Sequence, residues 1–141
     1  MENEQRPIAD MFIRQCIGFI IYRTIANLIL KEIKRYRDLN DNKFVREDDF
    51  WTKVAKGAYK KSIMSYIGGL KARQDDIVAE VMKQYAMTLF PDATPYHDIL
   101  SRIFNEGTGF AKDAIETGRY DLIVMMSEMT QDGVIEHKPG A

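Results

Sequence analysis

The segment from Ile8 to Leu30 constrains the fold most, because its apolar side chains point in every direction of a helical projection. Pro7 stands where the first turn of a helix tolerates proline, and helical spacing then continues to about Arg37. A helix of that length spans roughly 45 Å. A helix that is apolar on all sides is either the centre of a bundle or half of an oligomer interface. The sequence therefore predicts a long, buried N-terminal helix.

The same segment is too often interrupted by charge to span a membrane. Arg14 and Arg23 divide it into charge-free runs of 8 residues (15–22) and 7 residues (24–30). A spanning helix needs about 20 predominantly apolar residues, and an arginine at its centre costs roughly 3 kcal/mol. The polar, acidic start is unlike a secretory signal, and a single cysteine forms no internal disulfide. We therefore expect a cytoplasmic protein without a membrane segment.

Helical spacing also dominates the rest of the chain, and no stretch alternates apolar and polar residues as a half-buried strand does. The composition, 45% apolar and 29% charged, is that of an ordinary globular protein, and 141 residues suffice for one domain. The sequence predicts an all-α fold, a compact helical bundle of five or six helices around the long N-terminal helix. A single domain is expected over residues 1–131 and a loose C-terminal tail over residues 132–141.

Local signals predict where the helices begin and end. A loop is expected at residues 38–43, and a second helix from Glu47 with a break or a bend at Gly68-Gly69. A third helix is expected from Asp75-Asp76 to Pro91. The next helix should start at Thr94-Pro95 and break at Gly107-Thr108-Gly109, and a turn at residues 118–121 should lead into the last helix. In that last helix Met125, Met126 and Met129 either fill the core or form an adaptable contact surface, and core filling is favoured by their helical spacing.

Residues 54–69 resemble the helix-turn-helix motif of bacterial repressors over about 16 residues. The alignment requires two residues to be missing from the turn. Tyr59 then replaces the turn glycine, and Lys60 falls where an apolar residue should be buried. Without the turn there is no separate recognition helix. The sequence therefore favours one continuous second helix.

Few residues are suited to catalysis. Cys16 has apolar neighbours, and His97 and His137 fit no metal-ligand spacing with a cysteine or with each other. The side chains of Asp48-Asp49, as of Asp75-Asp76, diverge by about 100° on a helix, which is poor geometry for a shared proton or metal. No glycine-rich phosphate loop is present. We expect no enzyme activity, no metal, no cofactor and no small-molecule substrate.

The two halves of the chain carry opposite charge. Residues 1–73 hold 15 Lys and Arg against 9 Asp and Glu, whereas residues 74–141 hold 5 against 12. Such asymmetry favours an electrostatic partner, either nucleic acid or a complementary protein surface. A basic face and an acidic face on one molecule would also suit head-to-tail association of copies.

Seven cations in the basic half form the candidate partner-binding residues. Lys53, Lys56 and Lys60 fall within about 60° of each other on a continuous second helix. Such a stripe either neutralises phosphates or is an ordinary solvated face, and both interpretations stay open. The seven cations are Lys34, Arg35, Arg37, Lys53, Lys56, Lys60 and Lys61.

These features lead to two hypotheses for function. The first is a small non-enzymatic interaction or regulatory protein, such as an inhibitor, an immunity-type protein or an assembly subunit. It would bind a protein partner, or a second copy of itself, by charge-steered docking. The alternative is a nucleic-acid-associated protein that binds the phosphate backbone through the basic stripe on helices 1 and 2.

Overall fold

The structure, a computed structural model, describes residues 17–41, 46–86 and 97–129. Over these ranges the chain forms six α-helices and no strand, which confirms the predicted all-α bundle. The helices are α1 (Phe19–Tyr36), α2 (Glu47–Ala55), α3 (Lys60–Ala72), α4 (Gln74–Val81), α5 (His97–Glu116) and α6 (Tyr120–Ser127). The predicted start of the first helix, the restart at Thr94-Pro95, the helix end at Pro91 and the C-terminal tail lie outside the described residues.

Helix α1 is the centre of the bundle, as the sequence predicted. Its buried side carries an isoleucine at every fourth position, and α3, α5 and α6 all pack against the helix. Ridges formed by residues four apart are a common packing surface between helices. The isoleucines in this row, each at most 1% exposed, are Ile17, Ile21, Ile25, Ile29 and Ile33.

The predicted continuous second helix is wrong, because the chain turns at residues 56–59 between α2 and α3. Phe50 and Val54 form the buried side of α2, whereas Ile63, Ile67 and Leu70 form that of α3. On one straight helix these two apolar stripes would point to opposite sides, about 200° apart at 3.6 residues per turn. The turn lets both stripes reach the core.

Two segments expected to interrupt helices are themselves helical. Gly68 and Gly69 lie inside α3, exposed, and a Cβ atom on either would meet nothing within 4 Å. Residues 38–41 of the expected loop at 38–43 belong to the π-helical turn Arg37–Asp41, which continues α1. In both places hydrogen bonding along a packed helix outweighs an unfavourable local preference, which for each glycine is about 1 kcal/mol.

Helix α5 runs without a break through Gly107-Thr108-Gly109, contrary to prediction. Gly107 is buried against α1, where an added Cβ would lie 2.8 Å from Ile25 Cδ1 and 3.4 Å from Tyr22 Cδ1. The missing side chain therefore serves close packing of α5 on α1 rather than a helix end.

The predicted turn before the last helix is confirmed. Gly118 has φ of 71°, which favours glycine, and a Cβ atom there would lie 2.5 Å from the carbonyl oxygen of Ala55. The α5–α6 corner thus sits directly against the end of α2. In α6, Ile123 and Met126 are buried, so Met126 fills the core, whereas Met125 and Met129 are half-buried.

Candidate partner-binding surface

The seven candidate cations lie on segments that meet at one end of the bundle. Lys34 and Arg35 are in the last turn of α1, Arg37 follows it, Lys53 is in α2, Lys56 is in the turn, and Lys60 and Lys61 begin α3. The end of α1 contacts the start of α3, because the Tyr36 hydroxyl donates to the Ser62 carbonyl oxygen at 3.4 Å. The structure therefore brings both groups of cations into one region.

The prediction that three lysines form a stripe on one helix is wrong. Lys53 belongs to α2, Lys56 to the turn and Lys60 to α3, so the angular argument that grouped them does not apply. The cause is the turn at residues 56–59, which directs α2 and α3 along different axes.

Lys60 and Arg35 are paired with carboxylates of the chain. Lys60 Nζ lies 3.1 Å from Glu116 Oε1 and also donates to the Glu116 carbonyl oxygen at 3.3 Å. Arg35 donates to Glu32 Oε1 through Nε at 2.9 Å and through a second, closer bond from its terminal nitrogen. These hydrogen bonds from Arg35 hold the pKa of the Glu32 carboxyl below its ordinary value. Exposed pairs of this kind orient the side chains but stabilise a fold only slightly.

The Lys60–Glu116 pair joins the basic half of the chain to the acidic half. At this end of the bundle the charge separation along the sequence is therefore not maintained in space. Arg119 and Asp121, at the start of α6, form a further two-pronged ion pair with bonds of 3.0 and 2.9 Å. Of the seven candidate cations, Lys34, Arg35, Lys53, Lys56 and Lys61 are exposed, and Arg37 and Lys60 are half-buried.

Five aromatic rings form a continuous chain across this end of the molecule, and we call them the aromatic cluster. Tyr36 stacks on Tyr59 with ring centroids 5.6 Å apart, and Tyr59 lies 6.2 Å from Phe50. Phe50 meets Trp51 edge-on at 5.5 Å, and Trp51 stacks on Tyr120 at 5.1 Å with an angle of 16° between the rings. The cluster thereby links α1, the turn, α2 and α6.

Cations lie over the faces of two of these rings. The Arg35 guanidinium is 5.4 Å from the centre of the Tyr36 ring, and that of Arg37 is 6.0 Å from the Phe50 ring. Both distances are within the range of a cation–π attraction. Burial is the main reason why the pKa of the Tyr36 hydroxyl lies above its ordinary value.

Only one ring of the aromatic cluster is fully buried. Phe50 is 0% exposed, while Tyr36, Trp51, Tyr59 and Tyr120 are half-buried and keep part of each side chain at the surface. Tyrosine, tryptophan and arginine are the residues that most often dominate binding energy at protein interfaces. The arrangement offers a partner apolar ring surface surrounded by positive charge.

Sequence reasoning missed Tyr120 as part of this surface, because it selected only cations as candidate partner-binding residues. Tyr120 stacks on Trp51 from the other half of the chain, and no local pattern signals that pairing. Only the packing of α6 beside α2 brings the two rings together.

The other candidate residues form no comparable site. His97 begins α5, half-buried, with Nδ1 3.4 Å from Ser101 Oγ, and Cys16 and His137 lie outside the described residues. Within the three described ranges no three histidine, cysteine or acidic side chains lie close enough to hold a metal ion. A cleft of about 280 Å³ lies between α1 and α4, lined by Thr24, Arg73, Asp76, Ile77, Glu80, Val81 and Gln84.

Among the described residues, no helix combines the length and the apolar character that crossing a membrane requires. No protein-family model, curated protein or solved structure matches this chain. Its function must therefore be inferred from the residues on its own surface.

Proposed function

We propose that this chain is a small non-enzymatic interaction protein, such as an inhibitor, an immunity-type protein or an assembly subunit, that binds an acidic surface of a protein partner. The observation that carries the proposal is the aromatic cluster, four of whose rings are half-buried at one end of the bundle among exposed cations. Such a combination of rings and positive charge is typical of binding surfaces rather than of a protein's general exterior.

The two kinds of residue contribute to different stages of binding. Exposed cations such as Lys56 and Lys61 attract an acidic partner and raise the association rate, an effect that salt weakens. The half-buried rings of Tyr36, Tyr59 and Tyr120 then lose their remaining contact with water and supply most of the affinity. Because the rings already stack on one another, little side-chain freedom is lost on binding.

The test compares two charge-reversal variants of equal net charge. Lys56→Glu/Lys61→Glu alters exposed cations beside the aromatic cluster, and Lys71→Glu/Lys83→Glu alters exposed cations elsewhere. Tagged wild type and both variants are used to recover proteins from nuclease-treated extract of the source cells, and recovered proteins are quantified by mass spectrometry. We expect a protein recovered in fixed ratio with wild type and with the control to fall at least tenfold with Lys56→Glu/Lys61→Glu.

Two results contradict the proposal. One is recovery of the chain alone under native conditions by all three baits. The other is equal recovery of the same proteins by both variants, which would show that this end of the bundle does not bind them.

A second candidate function is binding of single-stranded nucleic acid, and one observation favours it. The stacked Tyr36 and Tyr59 rings, with the Arg35 guanidinium over Tyr36, present the aromatic and cationic groups on which unpaired bases stack. The probe is a 20-nucleotide single-stranded DNA followed by fluorescence anisotropy at several salt concentrations. Lys56→Glu/Lys61→Glu is expected to reduce the salt slope by about 1.4, since each lost phosphate contact removes about 0.7. Absence of binding at low salt excludes this candidate, as does a slope equal to that of wild type.

A further inference from the structure

Helix α2 is joined to the bundle differently from the other helices around α1. It buries only two side chains, Phe50 and Val54, and its first-turn acids Glu47, Asp48 and Asp49 are all exposed. Its packing neighbour is α6, whereas α3, α5 and α6 all pack against α1. We propose that α2 is a replaceable occupant of an aromatic groove, and that an acidic, aromatic helical segment of a partner protein takes its place. The inference rests on the proposed function and specifies the partner's chemistry.

The contacts of α2 are those of a helix bound in a groove. Phe50 and Val54, four residues apart, face the core, and Trp51 stacks on Tyr120. Amphipathic helices that bind partner grooves use anchors at this spacing. Around α2, Tyr59 and the Arg37 guanidinium contact the Phe50 ring and Tyr120 stacks on Trp51, while Tyr36 stacks on Tyr59; we call this arrangement the groove.

The rings around α2 are carried by parts of the chain outside that helix. Tyr36 lies at the end of α1, Tyr59 stands directly before α3, and Tyr120 begins α6. Helices α1, α3 and α6 are held together by aliphatic side chains such as Ile29, Ile67 and Ile123, all 0% exposed. Departure of α2 would therefore leave these three helices packed together, with Tyr59 released from Phe50 and Tyr120 released from Trp51.

The turn after α2 contains two residues with positive φ angles. Gly57 has φ of 106°, a conformation that glycine adopts without strain, and Tyr59 has φ of 61°, which is rare for a residue with a side chain. Stacking of Tyr59 on Tyr36 and its contact with Phe50 hold that conformation. When Phe50 leaves, Tyr59 loses one of the ring contacts that hold this conformation.

The sequence of α2 defines the chemistry that the groove accepts. Three acidic residues precede two aromatic ones in Glu47-Asp48-Asp49-Phe50-Trp51, and an aliphatic anchor follows at Val54. A partner segment with acids in its first helical turn and rings at the next two positions would make the same ring contacts. Arg37, which lies over the Phe50 ring, and the exposed Lys34 one turn before it place positive charge beside the groove, and such charge attracts the acids of the segment.

The first experiment measures hydrogen exchange of the full chain by mass spectrometry. Peptides that cover residues 50–56 are compared with peptides from the middle of α5. We expect the amides of α2 to exchange at least tenfold faster than those of α5, because α2 opens without the rest of the bundle. Equal exchange of α2 and the middle of α5 would overturn the proposal, since it would mean that the two helices open only together.

The second experiment uses a fluorescein-labelled peptide of residues 46–56 and measures its anisotropy on titration with the full chain. The hosts are wild type, Trp51→Ala, Val54→Ala and the control Thr52→Ala, which alters an exposed position of the same helix. Weakening the internal competitor raises the fraction of open groove, so the Kd of the peptide falls in proportion. We expect a Kd at least tenfold lower for Trp51→Ala and Val54→Ala than for wild type and Thr52→Ala.

A control peptide with alanine in place of Phe50 and Trp51 is expected not to bind any host. Equal Kd values for all four hosts, or equal binding of the control peptide, would overturn the replaceable-helix proposal. Either result leaves the proposed function intact if Lys56→Glu/Lys61→Glu still lowers the recovery of an acidic partner from extract at least tenfold. Conversely, peptide binding without any such partner would refute the proposed function and retain the groove.

Discussion

Helices α5 and α2 are both parts of one bundle, yet they are attached by different means. Helix α5 has 20 residues, of which nine are buried, and it packs against α1, α3, α4 and α6. Helix α2 has nine residues, of which two are buried, and ring stacking joins it to α6 and to the turn before α3. The difference separates a helix that buries side chains along its whole length from one that reaches the core through Phe50 and Val54 alone.

Replacing Phe104 tests whether α5 belongs to the common core. Of the substitutions considered, it should lower the free energy of unfolding most. Phe104 is 0% exposed in α5. We expect Phe104→Ala to lower the free energy of unfolding by about 4 kcal/mol, because the cavity forms in the core. Urea unfolding followed by far-UV circular dichroism and by fluorescence of Trp51, the sole tryptophan, should shift equally for both signals. Separation of the two signals would contradict the assignment of α5 to the common core.

Phe50→Ala tests the α2 side with the same type of substitution, since Phe50 is also 0% exposed. We expect a smaller loss of about 2 kcal/mol, because the cost is limited to the free energy that holds α2 on the surface. Trp51 fluorescence should change at a lower urea concentration than the circular dichroism signal. A loss as large as that of Phe104→Ala, with fluorescence and circular dichroism changing at the same urea concentration, would show that α2 unfolds together with the core.

Gly118 tests the contact between the α5–α6 corner and the end of α2. Alanine at this position must adopt φ of 71° and places its Cβ 2.5 Å from the Ala55 carbonyl oxygen. We expect Gly118→Ala to lower the free energy of unfolding by about 2 kcal/mol, since left-handed backbone alone costs 1–2 kcal/mol for a residue with a side chain. Thermal and urea unfolding measure the loss.

Gly68→Ala is the matched control for Gly118→Ala. Gly68 is exposed inside α3, and nothing lies within 4 Å of an added Cβ. We expect this substitution to raise the free energy of unfolding by up to about 1 kcal/mol, because alanine is the better helix former. Destabilisation by Gly68→Ala would show that an unrecognised contact requires glycine there.

The smallest expected effect concerns the ion pair between Glu32 and Arg35. The hydrogen bonds from Arg35 lower the pKa of the Glu32 carboxyl below 4.5. Its stabilising contribution is therefore present above pH 4.5 and is lost as the pH falls through the lowered pKa. Glu32→Gln should cost less than about 1 kcal/mol at pH 7, because the pair is partly exposed. The difference from wild type in urea unfolding should shrink as the pH is lowered from 4.5, and a difference that does not shrink would refute the charge interaction.

Much of the fold could be predicted because helix positions and apolar faces are local properties of the chain. The acidic residues at Glu47 and at Asp75-Asp76 marked helix starts, which the structure places at Glu47 and Gln74. The shift of the apolar stripe between Phe50 and Ile63 also signals the turn, yet the prediction of one continuous helix overlooked it.

The candidate surface could be predicted only in part. Its cations were all selected from the sequence, but their grouping on one helix was wrong, and the pairing of Lys60 with Glu116 joins residues from opposite halves of the chain. The stacking of Trp51 on Tyr120 likewise depends on two helices that are distant in sequence. A local pattern contains no information on such pairs.

The sequence by itself determined that this chain forms a helical bundle around its first helix, since the spacing of apolar residues specifies helices and their buried sides. Tertiary structure decided which helices stay continuous. Gly68-Gly69 and Gly107 are inside helices because packing outweighs a penalty of about 1 kcal/mol for each glycine. Residues 56–59 form a turn because the stripes on either side face opposite directions. Tertiary structure alone also assembled the aromatic cluster, since rings stack only after distant helices meet.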